Sequence, residues 1–582
     1  MKTSIIILTS NKLEYTQKCI ESIRDFTKPG TFEIIVVDNH STDGTVNWLQ
    51  EQADITLICN KENLGFPKGC NQGMEAAGGD SVLLLNNDTI VTENWLENLT
   101  TCLNSSPDIG AVGAITNNCS NYQTIPVHYA SLEEMHRFAA DHNVSNPEQW
   151  EERLKLVGYC MLITQEVIEK IGLLDERFTP GNYEDDDYSF RIRQAGYRLI
   201  LSKDTFIHHV GSVSFGENRN NFAELLRVNG EKFEKKWGFN PTYSAYIRLE
   251  LIDLIDAPKE QPLKVLEIGC ACGATLLKIK SIYTRAELYG VELNEHAAEA
   301  AKAFANVIST DIEQAQLEFE PQFFDYIILA DVLEHLRDPW ELLKRLKNYL
   351  SPKGAILASI PNVMHYSVLR GLINGNWTYQ DAGILDKTHM RFFTLNEINK
   401  MFLQAGFGKL EYRATTLNAT EDDKNFISEI TKITANPSDS TQFFAYQYLV
   451  KGAPEISQDI ISSLINRIAA NQELESAVSQ LRAAEIDDVI KVIESRFQDK
   501  VELLNTLAVS NFLAQEYNHV LPYLNRAFEI DKGNKDTLYN LGYVLNSLEE
   551  PGLAKTYLDM ISDKDEQVLK LLDVIKRASS NS

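Results

Sequence analysis

The sequence predicts a multidomain α/β protein, with two α/β units in succession followed by an all-α tail. Three observations predict it. The chain has 582 residues, about four times the ~150 of a nominal domain, so a single core does not hold it. Short apolar runs alternate with helical patterns in two separate stretches, which calls for mostly parallel sheets covered on both faces. Beyond about residue 456 the strand signals vanish.

The first stretch runs to about residue 245. Its expected strands are Ser4–Ser10, Phe32–Asn39, Ile55–Asn60 and Ser81–Asn86, each short and rich in Ile, Val or Leu. Helical patterns fall between them at Leu13–Phe26, Thr45–Glu51 and Pro67–Ala77. Asn117–Trp150 is polar and reads as an irregular covering loop, before Gly158–Leu162 resumes an apolar strand. After Pro258 and Pro262 the alternation restarts, with strands at Lys264–Ile268, Glu287–Val291, Tyr326–Ala330, Ala355–Ile360 and Phe443–Val450. The expected domains are therefore 1–245, 246–455 and 456–582.

The tail carries an internal repeat. At an offset of 34 residues Leu504 aligns with Leu538, Leu507 with Leu541, Tyr523 with Tyr557 and Leu524 with Leu558. Ala508 meets Gly542, keeping small residues where two helices cross closely. The period and pattern resemble a tetratricopeptide repeat pair, with a plain helical bundle as the other reading.

Composition narrows the function classes. Hydrophobic residues make up 44% and charged residues 24%, an ordinary globular balance that excludes a wholly disordered chain. The formal charge of −27 repels phosphate backbones and anionic membranes, so no nucleic-acid partner is expected. Eight cysteines in a chain this long make no disulfide framework and show no zinc spacing. The apolar run Ile5–Leu8 is too short for a signal peptide, and no run of eighteen apolar residues occurs. A reduced, soluble, cytoplasmic protein is expected.

Acidic residues stand at strand ends in the first unit. Asp38 closes the second strand, where ligands meet the carboxyl edge of a parallel sheet, although Asp38–Gly44 is also good turn and cap chemistry. Asp88 follows the apolar run Leu83–Leu85 and suits a hard divalent cation, for which a diphosphate supplies further oxygens. Glu184-Asp185-Asp186-Asp187 is a run of like charges, which raises at least one carboxyl pKa and prepares a general base.

These residues fall into an ordered set: Thr9-Ser10-Asn11, Asp38-Asn39-x-Ser41-x-Asp43-Gly44, Asn63-Leu64-Gly65-Phe66, Lys68-Gly69-x-Asn71, Asn86-Asn87-Asp88, Glu184-Asp185-x-Asp187 and His208-His209. The set resembles the family 2 inverting glycosyltransferases with a GT-A fold. The resemblance implies that Thr9, Asp38, Lys68 and Asn87 line the pocket of a UDP- or dTDP-linked sugar donor. It implies Asp88 as ligand of a divalent Mn or Mg, with His208 or His209 touching the metal or the diphosphate. Asp185 would deprotonate an acceptor hydroxyl. The family's Asp-x-Asp metal motif is reduced here to its last carboxylate.

In the second unit Glu267-Ile268-Gly269-Cys270-Ala271-Cys272-Gly273 joins a strand to a helix through a glycine turn, and Glu292 ends the next strand. Ser309-Thr310-Asp311 and Asp331-Val332-Leu333-Glu334-His335 follow at later strand ends. A dinucleotide-binding Rossmann domain competes for the glycine turn alone. Together with Pro361-Asn362-Val363 and Thr388-His389-Met390-Arg391-Phe392-Phe393, the set resembles the Rossmann-like class I S-adenosylmethionine-dependent methyltransferases. That resemblance implies Glu267, Gly269 and Gly273 around the methionine moiety, Glu292 on the ribose and Asp311 beside the adenine, with Asp331 also in the cofactor site. From their chemistry near neutral pH, His335 or His389 is expected to take the acceptor proton, with orienting the substrate or a structural role as the other readings. Ala271 is expected to be tolerated in the cofactor loop if its φ is negative.

Sugar transfer followed by methylation of the same glycan is the expected function, with the helical tail positioning a glycan or glycoprotein acceptor such as flagellin or a surface-layer protein, or mediating self-association. The rival reading is a helical-repeat scaffold with inactive nucleotide-binding modules.

Overall fold

The computed structural model describes residues 2–211, 219–434, 440–454, 458–472, 474–482 and 484–579. The expected 455/456 boundary lies outside them. The chain divides into two compact units: 1–342 with 356–397 and 412–451, and 343–355 with 398–411 and 452–582.

The first sheet is built from β1 (Thr3–Thr9), β2 (Phe32–Asp38), β3 (Ile55–Cys59), β4 (Ser81–Asn86), β6 (Ile109–Ile115), β7 (Trp150–Arg153), β8 (Cys160–Thr164) and β9 (Arg198–Phe206), with a separate ribbon of β5 (Thr89–Ile90) and β10 (His208–His209). Its order is β3-β2-β1-β4-β8-β6-β9-β7. Strands β1 to β4 run parallel, and β8 is antiparallel to both neighbours, β4 and β6. The order reverses between β1 and β4, which opens a crevice at their carboxyl ends. Burial on both faces explains the unbroken apolar runs: Ile5 and Ile7 pack with Cys19, Ile20 and Trp95, whereas Ile6 packs on the opposite face with Cys70, Met74 and Met135.

The second sheet contains β11 (Lys264–Ile268), β12 (Glu287–Glu292), β13 (Asn306–Ser309), β14 (Phe324–Ala330), β15 (Leu350–Pro361), β16 (Lys409–Thr416) and β17 (Ala445–Ala453). Its order, β13-β12-β11-β14-β15-β17-β16, has the same reversal, between β11 and β14. Both sheets thus bring their first strand's carboxyl end to a switch point, a consequence of right-handed crossovers placed to either side of a central strand.

Two expectations are corrected. Asn117–Trp150 is not irregular throughout, because Leu132–His142 forms a helix whose N-terminus is capped by the Ser131 hydroxyl. Only Met135 and Ala139 of it are buried, and four-residue spacing among charges hid the pattern. The start of the expected strand at Phe443 is instead the end of a short helix, Thr441–Phe444, with β17 following it.

From Gln458 the described elements are all helical. Helices Lys500–Leu513 and Val520–Ile530 form one hairpin, and Lys535–Ser547 and Pro551–Asp559 form a second. Aligned positions are buried alike: Leu504 and Leu538, Leu507 and Leu541, Leu524 and Leu558. At Gly542 an added Cβ would lie 2.5 Å from Leu558 Cγ, so the helices cross where only glycine fits.

Candidate functional site

The crevice at the first sheet's switch point is a cleft of about 980 Å³, lined among others by Asn87, Asp88, Gly158, Asp185 and His209. Much of the sequence motif around it is scaffolding. Asp43 accepts the Leu13 N–H at 3.0 Å, Ser41 accepts the Asn11 N–H at 2.6 Å, and the Asn39 amide donates to the Gly65 carbonyl at 3.0 Å. Gly65 has φ +80°, and a Cβ there would meet Pro180 Cα at 2.8 Å, which accounts for the glycine.

Asp38 is the exception in its loop. One of its oxygens accepts the Ser41 N–H at 2.9 Å, while Oδ1 is buried with no partner among the described residues. Asp38 itself is not among the residues lining the cleft. Thr9 is buried at the end of β1, and the Asn87 amide donates to the hydroxyls of Thr9 and Thr16 at 3.3 and 3.1 Å. Lys68 is exposed on the helix Phe66–Ala76 and is not among the residues lining the cleft.

Asp88 and His209 converge. His209 Nδ1 donates to the Asn118 carbonyl at 2.7 Å, and its Nε2 lies 3.1 Å from Asp88 Oδ1. The Tyr159 ring stacks on the imidazole at 5.2 Å. The plane of the ring is thus held by its neighbours. A carboxylate and an imidazole nitrogen aimed at one point of a cleft fit a divalent cation. His208 does not join them. Successive residues of a strand face opposite ways, and His208 meets the Tyr129 hydroxyl at 2.6 Å instead.

The acidic run opens a helix, Glu184–Gln194, rather than a solvated loop. Its four carboxylates have different surroundings. Asp187 is fully buried and held by Arg191 and the Trp237 indole; Asp186 pairs with Lys155 at 2.7 Å. Asp185 accepts the N–H groups of Gly158 and Asp186, both at 2.9 Å, and faces the cleft. Desolvation, followed by the Asp186 charge, pushes its carboxyl up to about 6, with desolvation rather than repulsion the larger cause. Lys155 escaped sequence reasoning because it carries no motif.

At the second switch point Gly269 and Gly273 adopt φ +71° and +78°, and a Cβ on Gly273 would strike the Phe304 ring at 2.8 Å. Ala271 also has positive φ, +47°, against the expectation of a negative one. It is held there by its N–H, which donates to Glu292 at 2.7 Å; the other Glu292 oxygen accepts the Asn294 N–H at 2.8 Å. Asp311 accepts from the Glu313 N–H and the Gln314 amide. Glu267 is buried with Oε2 unpartnered among the described residues, and burial pushes its carboxyl up to about 8. Arg248, Thr275 and Glu292 are the polar groups that act on this carboxyl beside the glycine turn.

Asp331 takes φ +52° and bonds the Ser359 hydroxyl, the Gln447 amide and, at 2.7 Å, the guanidinium of Arg248. Arg248 and Tyr243 lie between the two motif sets and were missed. Burial, then Asp331, Glu334 and Glu292, push the Tyr243 hydroxyl up to about 12, although half of its surface is open. The only sequence signal was an arginine alone in an acidic, apolar segment. The His335 and His389 rings meet edge-on at 4.7 Å, so the structure brings these two candidates together.

Residues 4–172 match the family described as glycosyl transferase family 2, and residues 243–412 match a methyltransferase domain family. The O-antigen biosynthesis protein RfbC of Myxococcus xanthus is 26% identical over 224 residues, covering 36% of this chain and 17% of the relative. The low-salt glycan biosynthesis hexosyltransferase Agl10 of Haloferax volcanii is 30% identical over 178 residues, 29% of this chain and 56% of the relative. The ubiquinone biosynthesis O-methyltransferase of Neisseria meningitidis is 23% identical over 202 residues, covering 33% of this chain and 84% of the relative. Among solved structures, a Pyrobaculum calidifontis mannosyltransferase in complex with GDP-Man and Mn2+ aligns at 21% identity and TM-score 0.31, over 40% of this chain and 64% of that one. The chain spans only 30% and 17% of the length of the first two curated relatives it matches. Among the described residues no helix is long and apolar enough to cross a membrane. The chain thus joins a stretch matched by glycosyl transferase family 2, a stretch matched by a methyltransferase domain family and a C-terminal helical region.

Proposed function

We propose that the protein transfers a sugar from a UDP- or dTDP-linked donor to an acceptor hydroxyl with inversion, and methylates the resulting glycan. The observation that carries this reading is the shared cleft of Asp88, His209 and Asp185. Asp88 and His209 hold a divalent Mn or Mg, Asp38 meets the base or ribose, and Thr9 and Asn87 complete the donor site. A cation bound there supplies positive charge to the departing diphosphate. Asp185 removes the acceptor proton as the hydroxyl attacks from the face opposite the diphosphate, so the sugar–diphosphate bond breaks as the new glycosidic bond forms. The glycan-biosynthesis relatives support a glycan substrate.

In the methyltransferase domain Glu267, Gly269 and Gly273 receive the methionine end of the cofactor, Glu292 the ribose and Asp311 the adenine. Asp331 closes the cofactor site, and His335 and His389 meet the acceptor hydroxyl. We place the domains at 1–245, 246–455 and 456–582, the last a tetratricopeptide-like region that positions a glycan or glycoprotein acceptor or a second copy of the chain. The test supplies purified full-length protein with donor, acceptor and S-adenosylmethionine labelled in the methyl group. Label in the glycosylated product is expected; sugar transfer with label only in unrelated small molecules overturns the coupled reading.

A further inference from the structure

The methyltransferase half holds a cluster outside the cofactor loop. Glu334 is 1% exposed, and neither of its carboxylate oxygens has a hydrogen-bond partner among the described residues. A buried carboxyl with no donor on either oxygen is costly, and such groups are paired or coordinate metals. Asp331 and Arg248 act on it through their charge, but neither bonds its oxygens.

Two imidazoles stand beside it, and both have their tautomer set from behind. His389 Nδ1 donates to the Ile384 carbonyl at 2.9 Å, and its Nε2 lies 4.0 Å from Glu334 Oε1. His335 Nδ1 lies 3.2 Å from the Thr388 hydroxyl, whose own proton goes to Asp386 at 2.6 Å. That hydroxyl therefore accepts from His335 Nδ1, and each ring presents Nε2 as a bare lone pair. Donor atoms of Glu334, His335 and His389 lie within 4.8 Å of one another. Outer hydrogen bonds that fix ring orientation around an inward-facing nitrogen are the support a metal site needs.

We infer that Glu334, His335 and His389 bind a divalent first-row cation such as Mn2+, Co2+ or Zn2+. Two imidazoles and one carboxylate satisfy this class of ion and leave coordination positions open. A simple ion pair with His389 accounts for the cluster less well, since it leaves the second Glu334 oxygen without a partner among the described residues. The inference deepens the reading of the second domain as a methyltransferase and rests on it for function only: the acceptor hydroxyl takes an open position and loses its proton to solvent more readily there.

The test is Co2+ titration of the full-length protein carrying Asp88→Asn, which silences the first cleft, followed by visible absorption. One bound Co2+ with ligand-field bands is expected. Glu334→Gln, the shape of the neutral acid, and His389→Gln should each weaken binding at least ten-fold. Thr388→Val keeps all three ligands and should weaken it several-fold by freeing the His335 ring. S-adenosylmethionine binding, measured in the same preparations, reports that the domain is folded. Cofactor binding without Co2+, or Co2+ affinity unmoved by both ligand variants, overturns the site. Co2+ binding without cofactor binding leaves the site standing and overturns the methyltransferase reading instead.

Discussion

His209 Nε2 lies 3.1 Å from Asp88 Oδ1, although 121 positions separate the two residues in the chain. The pairing of β10 with β5 makes this contact, aligning His209 with Thr89, the residue after Asp88. The stretch Asn86-Asn87-Asp88 thereby meets an imidazole from a distant strand, while Asn87 donates to Thr9 and Thr16.

Replacing either member should release the cation. Asp88→Asn and His209→Ala should each reduce sugar transfer by about 10²–10³-fold, the size of losing one element of charge stabilisation in a dry site. Initial rates against Mn2+ concentration check this. His208→Ala, facing Tyr129, should leave the Mn2+ dependence unchanged.

Sugar transfer should rise with pH through about 6 as Asp185 loses its proton, and Asp185→Asn should abolish the rise and lower the rate by about 10²–10⁴-fold. Stability runs the other way. A carboxyl whose folded pKa is raised binds more protons folded than unfolded, so between its ordinary range and about 6 stability falls as pH rises. The uncharged Asp185→Asn variant should therefore be more stable than the parent at pH 7, by roughly 1–2 kcal/mol. Urea melts at pH 5 and pH 7 read both signs.

The carboxyl of Glu267, pushed up to about 8, is mostly protonated at pH 7 in the free protein. A cationic cofactor favours its ionised form. S-adenosylmethionine should bind more tightly as pH rises toward 8 and should release a proton on binding. Calorimetry in two buffers of different ionisation enthalpy counts that proton, and Glu267→Gln should remove the pH dependence.

Ala271 at φ +47° sits in a region that costs an L-residue roughly 1–2 kcal/mol. Glycine removes that cost but adds about 0.4–1 kcal/mol of unfolded-state entropy. Ala271→Gly should raise stability by a few tenths to about 1 kcal/mol, read from thermal unfolding. Gly542→Ala should act oppositely, by about 1–3 kcal/mol, because its Cβ overlaps Leu558.

The helix Leu13–Phe26 and the strands Ser81–Asn86 and Lys264–Ile268 were legible to the residue, because burial on one helical face or on both sheet faces writes itself into local periodicity. So were the carboxylates at strand ends, since topology brings every parallel strand's carboxyl end to the same edge. The sequence by itself determined two α/β units, a helical tail and a list of acids and histidines. Tertiary structure alone decided which of them act together. His208 and His209 look alike in sequence, and only β10's pairing turns one toward Asp88. The four acids at 184–187 are likewise equivalent on paper, until Lys155 pairs with Asp186, Arg191 and Trp237 hold Asp187, and burial raises the carboxyls of Glu184 and Asp185. Charge, tautomer and pKa depend on neighbours distant in the chain, and no local pattern encodes those.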